Sequence, residues 1–120
     1  MSTQEKFIEE INKLNEEQKQ VLKDTIKFGW WGDCDYEFQN ENGEYETTRA
    51  EGYITNNEKN GGHFQGRKIS GLFRGIYKQM IHAGGIINHR SNWWGNGSSD
   101  ILFVKEEYRK LFEDWAKEVD

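Results

Sequence analysis

The amino-acid sequence predicts a single α+β domain in which helices pack with a small antiparallel hairpin. Three observations predict it. Apolar residues recur at the 3.6-residue period of amphipathic helices across 2–28, 66–82 and 106–119. Alternation, β-rich runs and Asn/Gly turn signals mark 34–48 and 86–104 as extended chain. A length of 120 residues suits one domain with a real core.

The elements follow in order. Ser2, with Glu5 three residues on, forms a capping box that opens a helix over 2–13, with Phe7, Ile8, Ile11 and Leu14 as its apolar stripe. Asn15 with Gln18 is a second capping box, opening a helix over 16–28 that buries Val21, Leu22, Thr25, Ile26 and Phe28. One long helix kinked at Asn15 is the alternative. Gly29-Trp30-Trp31-Gly32-Asp33 ends the helical pattern. Tyr36 and Phe38 then alternate with Asp35 and Glu37, and Asn42-Gly43 is a strong hairpin signal. The acidic stretch at about 33–48 therefore reads as a hairpin or a long excursion. Its carboxylates (Asp33, Asp35, Glu37, Glu41, Glu44, Glu46) make it a solubilising flap or a contact surface. A short helix is expected across 49–58 and a turn at Asn60-Gly61-Gly62.

The helix over 66–82 organises the rest. Ile69, Leu72, Phe73, Ile76 and Met80 form a narrow stripe to be buried. Arg67, Gly71, Arg74, Gly75, Lys78 and His82 lie opposite, with no carboxylate among them. Each glycine inside a helix costs about 1 kcal/mol against alanine, so Gly71 and Gly75 need a reason. A nucleic-acid backbone approaching closely is one; a Gly-x-x-x-Gly face packed on another helix is the other. Ala83-Gly84-Gly85 stops this helix. Strands are expected at 86–89 and at Ile101–Val104, joined by a glycine-rich loop around Trp93-Trp94. Tyr108, Leu111, Phe112, Trp115 and Val119 mark a last helix over 106–119. Trp30-Trp31-Gly32-Asp33 and Trp93-Trp94-Gly95-Asn96 repeat one short pattern, expected to form tight turns with their indoles on the core.

Composition narrows the function. Hydrophobic residues are only 34% of the chain and aromatics 14%, so the core must use few, large side chains. The N-terminus has no apolar signal region and no run approaches membrane-spanning length, so a cytoplasmic, membrane-free protein is expected. The single cysteine, Cys34, excludes an intrachain disulfide and a cysteine-rich zinc site. The net charge of −5 conceals an asymmetry. Residues 59–99 contain Lys59, Arg67, Lys68, Arg74, Lys78 and Arg90 and no Asp or Glu, a net +6, while the other 79 residues carry 10 basic and 21 acidic groups, a net −11. Such a division suggests an anionic partner for the middle of the chain; mutual neutralisation within the fold is the alternative.

The order of elements, with Arg67-Lys68-Ile69-Ser70-Gly71-Leu72 opening the basic helix, resembles a winged helix-turn-helix over about 53–119. That resemblance implies a recognition helix in the major groove and a wing, between the last two strands, against backbone or minor groove. The Trp-Trp-Gly-Asp and Gly-Arg-x-Ile-Ser patterns also resemble small phage and mobile-element proteins, a likeness that implies no chemistry.

Three function classes follow. In the first, a dimeric regulator binds duplex DNA: Arg67, Lys68, Arg74 and Lys78 meet phosphates or guanine edges, Gln65 and Ser70 add hydrogen bonds, and Arg90, Asn92, Trp93 and Asn96 lie on the wing. Trp93 and Trp94 stack on bases or pack under their loop. In the second, an acidic, anti-CRISPR-like inhibitor imitates DNA and binds a host protein through Asp33, Asp35, Glu37, Glu44 and Glu46. The third is an enzyme, for which the sequence offers little. His63, His82 and His89 match no ligand spacing, and Cys34 between two aspartates should have a raised pKa. No catalytic residue, metal or cofactor is assigned.

Overall fold

The computed structural model describes residues 2–40, 42–54, 86–91 and 100–118. They form three helices and one four-stranded sheet: α1 (Thr3–Ile11), α2 (Glu16–Phe28), β1 (Gly32–Gln39), β2 (Tyr45–Ile54), β3 (Ile87–Ser91), β4 (Asp100–Lys105) and α3 (Glu106–Ala116). The α+β class is as the sequence predicts.

The two N-terminal helices are separate. Ser2 Oγ accepts the Glu5 amide at 3.1 Å. Asn15 leaves helical backbone (φ −79, ψ 173) and completes its box: its Oδ1 accepts Gln18 N–H at 2.8 Å and its own N–H reaches Gln18 Oε1 at 2.9 Å. The kinked single helix is thereby excluded. Ile8 and Phe28, counted in the apolar stripes, stay about half exposed.

The acidic stretch is longer and more central than its sequence suggested. Every residue from Gly32 to Gln39 pairs with β2, from Gly32↔Gly52 to Gln39↔Tyr45. β2 in turn pairs antiparallel with β4, Ala50↔Lys105 to Ile54↔Ile101, so the sheet order is β1-β2-β4-β3. The hairpin is half of the main sheet, not a flap beside it. The helix expected across 49–58 is corrected over Arg49–Ile54, which is strand; 55–58 lie outside the described residues. Pairing on both edges of β2 outweighs the local pattern, which carries no helical period strong enough to resist it. The hairpin loop is also wider than a two-residue turn. Asn40 Oδ1 accepts the amides of Asn42 at 2.9 Å and Glu44 at 3.0 Å, and Gly43, at φ +82, lets the chain reverse.

β3 and β4 pair antiparallel, Ile87↔Val104 to Ser91↔Asp100. Since β2 and β3 both run against β4, they are parallel to each other with β4 between them. Ile54, where β2 ends, and Ile87, where β3 begins, therefore lie at opposite ends of the sheet. The expected helix over 66–82, the turn at 60–62 and the 92–99 loop lie outside the described residues.

Alternation divides the sheet. One face offers Tyr53, Ile87, Leu102 and Val104 to the helices, where they join Phe7, Leu22 and Phe112 in the main core. Phe7 meets Phe112 edge-on at 4.8 Å, a geometry worth ~1 kcal/mol beyond burial. The other face carries a second cluster of Phe38, Ala50 and Phe103, with Tyr36 stacked on Phe103 at 3.8 Å. On that same face Asn88 of β3 donates from Nδ2 to the Glu37 carbonyl of β1 at 2.6 Å. β1 and β3 are the two edges, so the sheet curls strongly toward the face away from the helices.

Candidate functional site

The described charged and aromatic groups converge where β1, β2 and α3 meet. β2 alternates Arg49, Glu51 and Tyr53 onto the helix-facing side, and register sets Asp35 opposite Arg49 and Asp33 opposite Glu51. Arg109 and Glu113, one turn apart on α3, come down beside them, flanking the buried Tyr108–Phe112 stripe. Trp30 reaches in from the turn after α2.

Glu51 is the centre. It is 2% exposed and its Oε1 accepts the Trp30 indole N–H. Its Oε2 lies 3.2 Å from Arg109 Nη1, an ion pair whose angles do not make a hydrogen bond, so that oxygen accepts none. Arg109 also pairs with Asp33 at 3.5 Å and with Glu113 at 3.0 Å. Its hydrogen bond to Glu113 raises the guanidinium pKa further, against some loss from burial. Tyr53 donates its hydroxyl to Glu113 Oε1 at 3.2 Å, and burial first, then the Glu113 carboxylate, pushes that hydroxyl well above the ordinary phenol value. Arg49 sits 4.0 Å from Asp33 and 3.7 Å from Asp35. A cavity of about 30 Å³ opens among these groups, lined by Asp33, Arg49, Ala50, Glu51, Glu106 and Arg109. Among the described residues, two guanidiniums thus serve Asp33, Asp35, Glu51 and Glu113, with Glu106 also lining the cavity, and negative charge stays in excess.

The aromatic turn is only partly the buried turn expected. Trp31 packs edge-on to Phe103 at 6.2 Å and donates its backbone N–H to Gly52 O at 3.0 Å, yet remains 48% exposed. Trp30 is 68% exposed despite its bond to Glu51.

Other groups stand as follows. Of the acidic candidates, Asp33 and Asp35 belong to this network, Glu46 pairs with Lys105 at 2.6 Å, and Glu37 and Glu44 are exposed. Gln65, Arg67, Lys68, Ser70, Arg74, Lys78, Asn92, Trp93 and Asn96 lie outside the described residues, and Arg90 is described by its place in β3, opposite Ile101. The Cys34 thiol pKa is raised, burial contributing most and Asp35 and Asp33 adding to it against Arg49. Among the described residues no three His, Cys, Asp or Glu side chains converge to hold a metal, and no helix is long and apolar enough to cross a membrane. A larger groove of about 390 Å³ runs between α1 and α3 over Phe7, Ile11, Leu111 and Trp115.

Sequence reasoning missed Glu51, Arg49, Tyr53, Arg109 and Glu113 as a group. The one available signal was Arg49-x-Glu51-x-Tyr53, an alternation that becomes meaningful once 49–54 is strand. No family model, curated protein or solved structure matches the chain.

Proposed function

We propose that the protein binds nucleic acid, duplex DNA above all, through the carboxylate-free stretch 59–99 in a winged-helix manner. The observation that supports this best is the register at one end of the sheet. Ile54 faces Ile101 and Ser91 faces Asp100, so the chain leaves β2 beside the point where it leaves β3 and re-enters β4. Both parts of the stretch, the connection after β2 and the 92–99 loop, thus start from neighbouring positions. A connection between parallel strands is most often helical, which suits the amphipathic pattern over 66–82.

In this reading Arg67, Lys68, Arg74 and Lys78 contact phosphates and guanine edges, Gln65 and Ser70 support them, and Arg90, Asn92, Trp93 and Asn96 form the second contact. The test is a duplex-binding titration at several salt concentrations. Arg74→Glu with Lys78→Glu should abolish binding or, where weak binding remains, reduce the salt slope by about 2. Wild-type affinity in the double variant would remove both residues from the interface.

A further inference from the structure

We propose that Trp30, together with Asp33 and Asp35, is a docking site for a cationic side chain, lysine or arginine, presented by a basic segment of a partner protein. None of its residues lies in 59–99, so the proposal stands apart from nucleic-acid binding.

The first support is a pinned aromatic surface. Trp30 is the most exposed large apolar side chain among the described residues, at 68%. It is nevertheless held: its indole N–H is tied to buried Glu51, and its ring edge lies over Gly32, 4.0 Å from the position a Cβ would take. A fixed indole offers its π face with little further ordering to be done on binding.

The second support is charge. Among the described residues, Asp33, Asp35, Glu51 and Glu113 pair with Arg49 and Arg109, and Glu106 lines the same cavity, which leaves an excess of three negative charges beside the indole. Glu37 continues the same face of β1. This field attracts a cation and repels a phosphate. The third support is Glu51 itself. Its side chain is 2% exposed, its Oε2 accepts no hydrogen bond, and it lines the cavity of about 30 Å³. Arg109 Nη1 holds that oxygen at 3.2 Å as an ion pair without a hydrogen bond, and ammonium and guanidinium groups are donors only. The occupant's aliphatic stem would lie on the indole while its charge faces the carboxylates.

The experiment titrates the full chain with octalysine, octaarginine, octaglutamate and oligothymidylate, read by indole fluorescence and by calorimetry. One of the two cationic peptides should bind, and their comparison names the preferred side chain; octaglutamate and oligothymidylate should not compete for the site. Trp30→Ala should weaken binding about 2- to 5-fold, the range of an exposed cation–π contact. Because that change also removes a donor from Glu51, Asp35→Lys is the independent variant; its wild-type side chain is 69% exposed and touches only Arg49 among the described residues. It should weaken binding at least about tenfold. Glu17→Lys, at the far end of α2 and ~20 Å away by helix rise, changes the net charge equally and should leave affinity within about twofold. Equal losses in Glu17→Lys and Asp35→Lys, unchanged affinity in Trp30→Ala and Asp35→Lys, absence of peptide binding, or displacement by oligothymidylate would each overturn the proposal.

Discussion

Gly52 shows how one missing side chain organises a neighbourhood. A Cβ at this position would lie 2.9 Å from Trp31 Cε3 and 3.4 Å from both the Gly32 carbonyl and Ile101 Cγ2. The indole therefore rests on bare backbone in mid-strand, a place where glycine otherwise weakens a sheet. Trp31 then meets Phe103 on one side of the sheet, while Trp30 reaches Glu51 on the other. Gly52→Ala should destabilise the fold by about 1–3 kcal/mol through forced displacement of the indole. Urea unfolding followed by tryptophan emission checks both the loss and the local origin; an unchanged midpoint would mean that Trp31 moves freely. None of this was legible in the sequence, because Gly52 lacks the positive φ or turn context that makes a glycine conspicuous, and its reason is a residue 21 positions earlier.

At the level of elements, local signals were decisive wherever the reason was local. The Asn15–Gln18 box was legible because both its hydrogen bonds span three residues. Asn15→Ala should cost about 1 kcal/mol and fray the first turn of α2, measurable as a lower thermal midpoint and faster amide exchange at Gln18 and Lys19. The hairpin was legible from Tyr36, Phe38 and Asn42-Gly43, but its length was not. Arg49–Ile54 became strand because β1 and β4 pair with it on both edges, and the β4 partner lies some fifty residues further along. The candidate site failed to show for the same reason. Arg109 and Glu113 look like an ordinary helix ion pair until β2 is placed beneath them.

For the molecule as a whole, the protons of Cys34, Tyr53 and Lys105 are, with that of Arg109, held more tightly in the folded state than in the unfolded chain. Burial leads the rise for Cys34 from 9.0 and for Tyr53 from 10.0. For Lys105 burial acts the other way, and hydrogen bonds to Glu46 and Glu107 outweigh it, raising the pKa above 10.5. In each case the stabilisation is complete below the unfolded pKa and is lost as pH rises through the folded one. Stability should therefore hold from neutral pH to about 9 and decline steadily above it. Tyr53→Phe should flatten the part of the decline beginning near 10.0, seen in denaturation midpoints taken across that range; a wild-type midpoint that stays level to high pH would contradict this. The sheet order carries one further consequence, in time rather than space. Among the described strands β4 is made after the other three, yet it occupies the seat between β2 and β3. A nascent chain emerging from the ribosome can close the β1–β2 hairpin early but must keep that hairpin's inner edge open until Asp100–Lys105 emerges to pair with it. A peptide halted before Asp100 would leave that edge bare and ready to pair with a neighbour.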